Sequence, residues 1–229
     1  MASFGTEVYR ATAVAWKDLT TERRTKANFN AVVFLAALML ILFGFALGPD
    51  AEALRSAAAG VLWLTVLFSG VQAFHRSYEI ELESGALEAL LLYPGSRKSI
   101  FLGKLLANLV FILLVEAVVV PVSAVLYDLP LARLFPGILL VLFLGTLGFV
   151  TLGTFYGAMA SRLRARDVLL PLLLFPMLIP VLVGSVEATA ALMGRDVMGE
   201  AASWIELLVA FDVIFLVAAL LTFESIVEE

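Results

Sequence analysis

Six apolar runs separated by polar or charged stretches set the pattern of this chain. The first covers residues 31–48. At about 1.5 Å of rise per residue, a helix of that length reaches roughly 27 Å and just crosses the hydrocarbon of a bilayer. The other runs cover 57–74, 100–127, 134–160, 168–193 and 204–223. Apolar runs of about 18 residues or more read as membrane-spanning helices. Gly48-Pro49-Asp50 closes the first run, and Asp128-Leu129-Pro130 makes a short turn after the third. The fourth run is long enough to need tilt. The pattern predicts an all-α integral membrane protein in which residues 1–229 form a single domain with six transmembrane helices.

Two stretches outside the runs carry helical patterns of their own. Within residues 6–20, Val8, Thr12, Ala15, Trp16 and Leu19 recur at helical spacing, while Glu7, Arg10, Lys17 and Asp18 fall mostly elsewhere. Trp and Lys on a short helix just before a span suit a segment lying in the headgroup plane. An ordinary cytosolic helix would show the same spacing. Residues 76–94 read RSYEIELESGALEALLLYP. Here Glu79, Glu81, Glu83 and Glu88 share a segment with Leu82, Leu87, Leu90 and Leu91, and Pro94 stops any helix. The stretch is too short and charged to span, and too apolar to be simply solvated. A short amphipathic helix with exposed leucines would fit a partner's groove, or would pack back on the membrane surface.

Prolines mark the third and fifth spans. Pro121 stands inside the third, and Pro171, Pro176 and Pro180 inside the fifth. Each deletes a backbone hydrogen bond. Freed backbone at membrane depth persists only inside protein or beside a cavity. The cluster predicts a kinked fifth span, with short external or partly re-entrant helices near Gly184–Gly194.

Composition agrees with the runs. Hydrophobic residues make up 62% of the 229 residues and charged residues 15%, against roughly 45–50% and 25% in soluble domains. A soluble fold of this size could not hide so much apolar surface. The absence of cysteine rules out disulfides and thiolate metal sites on this chain. The first thirty residues are not expected to be a secretory signal, because Arg10, Lys17, Arg23, Arg24 and Lys26 precede a run long enough to span and lacking a small-residue cleavage pattern.

The net charge of −5 matters less than where the positive residues lie. The amino-terminal segment holds five, the second connection with the start of the third span holds Arg76, Arg97, Lys98 and Lys104, and the fourth connection holds Arg162, Arg164 and Arg166. The remaining connections hold one each, Arg55, Arg133 and Arg195. Twelve against three, alternating across six spans, predicts both termini in the cytoplasm.

Candidate chemistry is sparse. His75 is the only histidine and stands at the cytoplasmic end of the second span beside Arg76. An interfacial polar residue explains it, and a haem or metal ligand would need a second ligand nearby. The phosphate-loop pattern fails at Gly103-Lys104, where Leu105 follows, and at Gly148–Gly153, where Thr154 stands in place of lysine. No catalytic motif is present, so an enzyme is not expected. Gly145, Gly148, Gly153 and Gly157 instead suit close helix packing. Glu116 lies mid-span, five residues before Pro121. A carboxylate at that depth is costly and should face the bundle or a wet cavity. Substrate contact, gating, a proton site or a hydrogen-bonded structural role all fit it. Asp212 in the sixth span is a second such residue, expected nearer an interface, and Glu187 is expected close to the external surface.

The chain also resembles the haem exporter protein B family, the permease-like B subunit of the cytochrome c maturation system. The resemblance is carried by Trp16-Lys17-Asp18-Leu19 with Glu22-Arg23-Arg24, Ala59-Gly60-Val61-Leu62-Trp63, Gly85-Ala86-Leu87-Glu88, Leu91-Leu92-Tyr93-Pro94 and Ile100-Phe101-Leu102-Gly103-Lys104. Glu116 with Pro121, Leu144 to Phe149, Gly153-Thr154, Arg164-Ala165-Arg166 and Leu169 to Leu172 continue it over most of the chain. It implies an exporter-type ABC permease in the bacterial inner membrane. Two copies would pair with two cytosolic ABC ATPase subunits, joined by a multispan C subunit and a small D subunit. Residues 6–20 would then be an elbow helix. Within the coupling loop 76–94, Glu79–Leu92 would be a cytoplasmic coupling helix, with Glu79, Glu81, Glu83, Leu87, Glu88 and Leu91 engaging the ATPase. No bound cofactor is implied; haem would be cargo, bound for a periplasmic haem chaperone. A scaffolding subunit through which nothing passes is the first alternative. A gradient-driven carrier with Glu116 and Asp212 as proton sites is the second, and the lack of matched halves weighs against it.

Overall fold

A computed structural model describes residues 4–83, 97–129, 131–160, 166–195 and 199–228. Among the described residues there are seven α-helices and no strand. They are α1 (Phe4–Thr25), α2 (Ala27–Leu47), α3 (Ala51–Glu83), α4 (Arg97–Tyr127), α5 (Leu131–Ala160), α6 (Arg166–Ala190) and α7 (Ala201–Glu228). A π-helical turn, Ala191–Arg195, closes α6 where Gly194 takes φ 95°. Six stretches are long and apolar enough to cross a membrane, Ala27–Leu47, Ala51–His75, Arg97–Tyr127, Pro136–Met159, Pro171–Gly194 and Ala201–Phe223. The chain is therefore a six-span, multi-pass, all-α membrane protein.

α3 and α5 form the centre. In each, 67% of the spanning stretch is buried, against 17% in α2 and 22% in α7. Three interlocking contacts join the central pair. Trp63 of α3 lies against Gly145, Phe149 of α5 against Gly70, and Phe74 of α3 against Gly153. In each case a Cβ on the glycine would collide with the ring. Residue numbers rise together along both helices, so α3 and α5 run parallel, and each ring sits where the facing helix has no side chain. Without a hydrophobic force between helices in lipid, such close packing carries the association.

Polar ties mark the two ends of the bundle. At one end, Arg55 pairs with Asp128, which takes φ 51° as the chain leaves α4. Nearby, Tyr127 donates from its hydroxyl to the Leu40 carbonyl of α2 at 2.7 Å. At the other end α1 packs along the start of α4, and Phe101 of α4 meets Phe223 of α7 with ring centroids 5.0 Å apart.

Several sequence-based expectations need correction. α1 extends beyond residues 6–20, because nothing in Thr20–Thr25 breaks a helix before Lys26 turns left-handed at φ 53°. Its apolar positions do not share one face. Ala11, Val14 and Ala15 are buried, whereas Val8, Tyr9 and Trp16 stay exposed. The spanning part of α3 closes at His75, beside the expected Phe74, while the helix itself continues to Glu83, since the sequence offers no proline or glycine between Phe74 and Gly85. The region near Gly184–Gly194 holds no separate short helices up to Ala190: α6 runs on unbroken through Gly184. Gly184 instead lets α7 approach, and a Cβ there would lie 3.1 Å from Leu207.

Candidate functional site

Several buried polar groups gather at one level of the bundle. α5 supplies the platform with Gly145, Thr146 and Gly148, spread over roughly 4.5 Å of helix rise. Thr146 is 0% exposed and donates from its hydroxyl to Glu116 Oε1 of α4. Glu116 is 3% exposed, and its Oε2 has no hydrogen-bond partner among the described residues. From the opposite side, Asp212 of α7 points its carboxyl at Gly148, where a Cβ would lie 2.6 Å from Oδ1. Asp212 is 5% exposed, and neither carboxylate oxygen has a partner among the described residues. Ser185 of α6 lies over Gly145, its hydroxyl also without a partner among the described residues.

Three hydrogen bonds extend this level toward the ends. Trp63 Nε1 donates to Thr189 Oγ1 at 3.0 Å, and Thr189 in turn donates to the Ser185 carbonyl at 2.7 Å. In the other direction Asn108 Nδ2 donates to Thr154 Oγ1 at 3.0 Å. A cavity of about 300 Å³ opens at the Arg55–Asp128 end, between α3 and the end of α6, lined in part by Ser56, Gly60, Glu187 and Glu200. Among the described residues no set of three or more His, Cys, Asp or Glu side chains could hold a metal ion.

A family model described as CcmB protein matches residues 9–228. The chain belongs to the CcmB family. Relatives named heme exporter protein B include that of Pseudomonas aeruginosa, 33% identical over 178 residues, covering 77% of this chain and 79% of the relative. Those of Rhodobacter capsulatus and Paracoccus denitrificans are each 30% identical, covering 76% and 77% of this chain and 80% of either relative. The CcmB match begins within α1 and ends at the close of α7, so it takes in all six spans.

The structure brings some of the expected CcmB site residues together and leaves others apart. Glu116 and Asp212 both reach α5 at mid-bundle, from different helices. Asp212 is thus not near an interface: it is the midpoint of the span Ala201–Phe223. Gly145, Gly148 and Gly153 each receive a neighbouring side chain, and Gly157 is buried. Pro121, Pro171, Pro176 and Pro180 all stand inside continuous helices, Pro121 five residues after Glu116 and Pro180 five before Ser185. Glu187 is exposed and borders the cavity. His75 is half-buried at the end of the spanning part of α3. Glu79, Glu81 and Glu83 form the last turns of α3, while Leu87, Glu88 and Leu91 lie outside the described residues.

Sequence reasoning missed Thr146, Ser185, Thr189, Trp63 and the Asn108–Thr154 pair. Each is a polar or amphipathic residue inside an apolar run. A hydroxyl can satisfy itself by bonding back along its own helix, as Thr65 does to the Val61 carbonyl at 2.7 Å. Such residues therefore carry little signal until the facing helix is known.

Proposed function

We propose that this chain is the permease subunit of an ATP-driven complex that moves haem, or releases a haem-loaded periplasmic chaperone, for c-type cytochrome assembly. The observation that carries this is the CcmB match over 9–228, together with relatives named as heme exporters. Energy would come from a cytosolic ABC ATPase pairing with two copies of this chain in the bacterial inner membrane. A C-type and a D-type subunit would complete the assembly. The excess of Lys and Arg in alternate connections supports cytoplasmic termini.

In this arrangement α3 extends past the bilayer as far as Glu83, carrying Glu79, Glu81 and Glu83 toward the ATPase. Leu87, Glu88 and Leu91 would complete the docking segment. Glu116 and Asp212 would be the mid-bundle groups whose surroundings change during the cycle, with Pro171, Pro176 and Pro180 softening α6 beside them.

The filled seam between α3 and α5 favours a particular route. Trp63, Phe74 and Phe149 are each at most 2% exposed, so the centre of one copy is closed. Cargo would travel along an edge of the bundle against another subunit. The same closed centre favours, as a second reading, a scaffolding subunit through which no haem passes.

One experiment tests the docking. The complex is purified in detergent through a tag on this chain, and the co-purifying subunits are identified by mass spectrometry. Leu87→Arg should abolish recovery of the ATPase while the chain itself remains folded. Unchanged recovery would overturn the assignment of 76–94 to ATPase docking.

A further inference from the structure

The Gly103-Lys104 pair, too incomplete for a phosphate loop, has a structural use. It stands in the second turn of α4, the helix that follows the segment 76–94 assigned above to ATPase docking. A Cβ on Gly103 would lie 2.6 Å from the Ala11 carbonyl oxygen and 2.7 Å from Val14 Cβ. The backbones of α1 and α4 therefore touch at this point, and any side chain would force them apart. One residue on, Lys104 is 2% exposed, and its Nζ lies 3.7 Å from Asp18 Oδ2 of α1. A lysine this buried is tolerated only when its charge is compensated. Steric fit and charge thus fix α1 on α4 at two sites, seven residues apart along α1.

The far end of α1 is tied to α2. Glu22 Oε1 accepts the Phe29 backbone N–H at 2.8 Å, capping one of the free donors at the start of α2. Lys26 is the only residue between the two helices. α2 is also the least buried of the six spans, and so has the fewest internal contacts to break if it moves.

We propose that α1 and the first turns of α4 move as one body, locked by Gly103 and the Asp18–Lys104 pair, so that a push on the start of α4 reaches α2 through α1. This rests on the ATP-driven reading above. Asp18 and Lys104 act as positioning residues in that relay: they touch neither cargo nor nucleotide.

The test uses the complete complex reconstituted in vesicles, with ATP turnover and release of haem-loaded chaperone measured together. Asp18→Asn and Lys104→Gln should leave ATP turnover and subunit recovery near wild type. Release per ATP should fall about tenfold, within the usual range of coupling between sites. The exchange Asp18→Lys with Lys104→Asp should restore most of it. The cysteine-free chain also allows spin labels at Tyr9→Cys and Leu102→Cys. Their separation should stay constant with and without nucleotide, and should broaden in Asp18→Asn. Wild-type release per ATP in Asp18→Asn, or a Tyr9–Leu102 distance that changes with nucleotide, would overturn the relay. If single variants fail to assemble, recovery of assembly without coupling in the exchange variant would overturn it as well. Failure of ATP to drive release in the wild-type complex would instead overturn the functional reading itself.

Discussion

Thr146 on α5 donates its hydroxyl proton to one oxygen of Glu116 on α4, and the other oxygen of that carboxyl has no partner among the described residues. The single bond decides what substitutions should do. Thr146→Val removes the donor and leaves a buried carboxyl wholly unpaired, which should destabilise the bundle by about 1–3 kcal/mol. Glu116→Gln keeps an acceptor for Thr146 and should leave the melting temperature in detergent almost unchanged. If Glu116 takes part in the cycle, c-type cytochrome assembly should nevertheless fall in Glu116→Gln. Normal assembly in that variant would leave Glu116 a purely structural role.

The seam between α3 and α5 predicts opposite outcomes for two glycines in the same protein. At Gly153 the Phe74 ring occupies the place of a Cβ. Gly153→Ala should therefore destabilise by about 1–3 kcal/mol, as overpacked cores do. Pairing it with Phe74→Leu should recover part of the loss. At Gly60 nothing lies within 4 Å of the same atom. Gly60→Ala in the interior of α3 should be neutral or stabilise by about 0.5–1 kcal/mol. Thermal unfolding of both variants in one detergent checks the pair.

The six spans were legible because burial in lipid needs long apolar runs, and no soluble element imitates them. Their ends were less legible, for local reasons. α2 starts at Ala27 rather than near Ala31 because Glu22 caps it from the preceding helix, a contact across seven residues. The interior was legible only in part. Glu116 stood out as a charge in an apolar run, but its partner Thr146 is 30 residues away and has no charge to mark it. Trp63 and Thr189 are 126 residues apart, so neither could be read as half of a hydrogen bond. Asp212 lies near the middle of the sixth span whether that span starts at Ala201 or at Trp204, so its depth was legible in the run itself, whereas its seat against Gly148 of α5 was not.

The tie between α4 and α2 predicts a modest, measurable effect. Tyr127 is 1% exposed, and its hydroxyl bonds the Leu40 carbonyl, itself within α2. Tyr127→Phe keeps the ring and removes one hydrogen bond, at a cost of about 0.5–1.5 kcal/mol. The Leu40 carbonyl retains its place in the helix ladder, so the loss should not reach the upper values seen when a buried group is left wholly unpaired. A drop in melting temperature larger than that of Thr146→Val would show that the tyrosine does more than bridge the two helices.

Asp212 should behave in the reverse sense. Both of its oxygens are buried without a partner among the described residues, with Oδ1 facing Gly148. A carboxyl in that setting destabilises the fold that contains it. Asp212→Asn keeps the shape and removes the ionisable group, so the variant should melt at the same temperature or higher than the parent. Stability held below its attainable value is commonly retained where activity requires it. Measuring cytochrome c assembly beside the melting curve therefore separates two cases. A more stable and less active Asp212→Asn places the carboxyl in the working cycle. A more stable and fully active one makes Asp212 an uncompensated defect that the rest of the bundle tolerates.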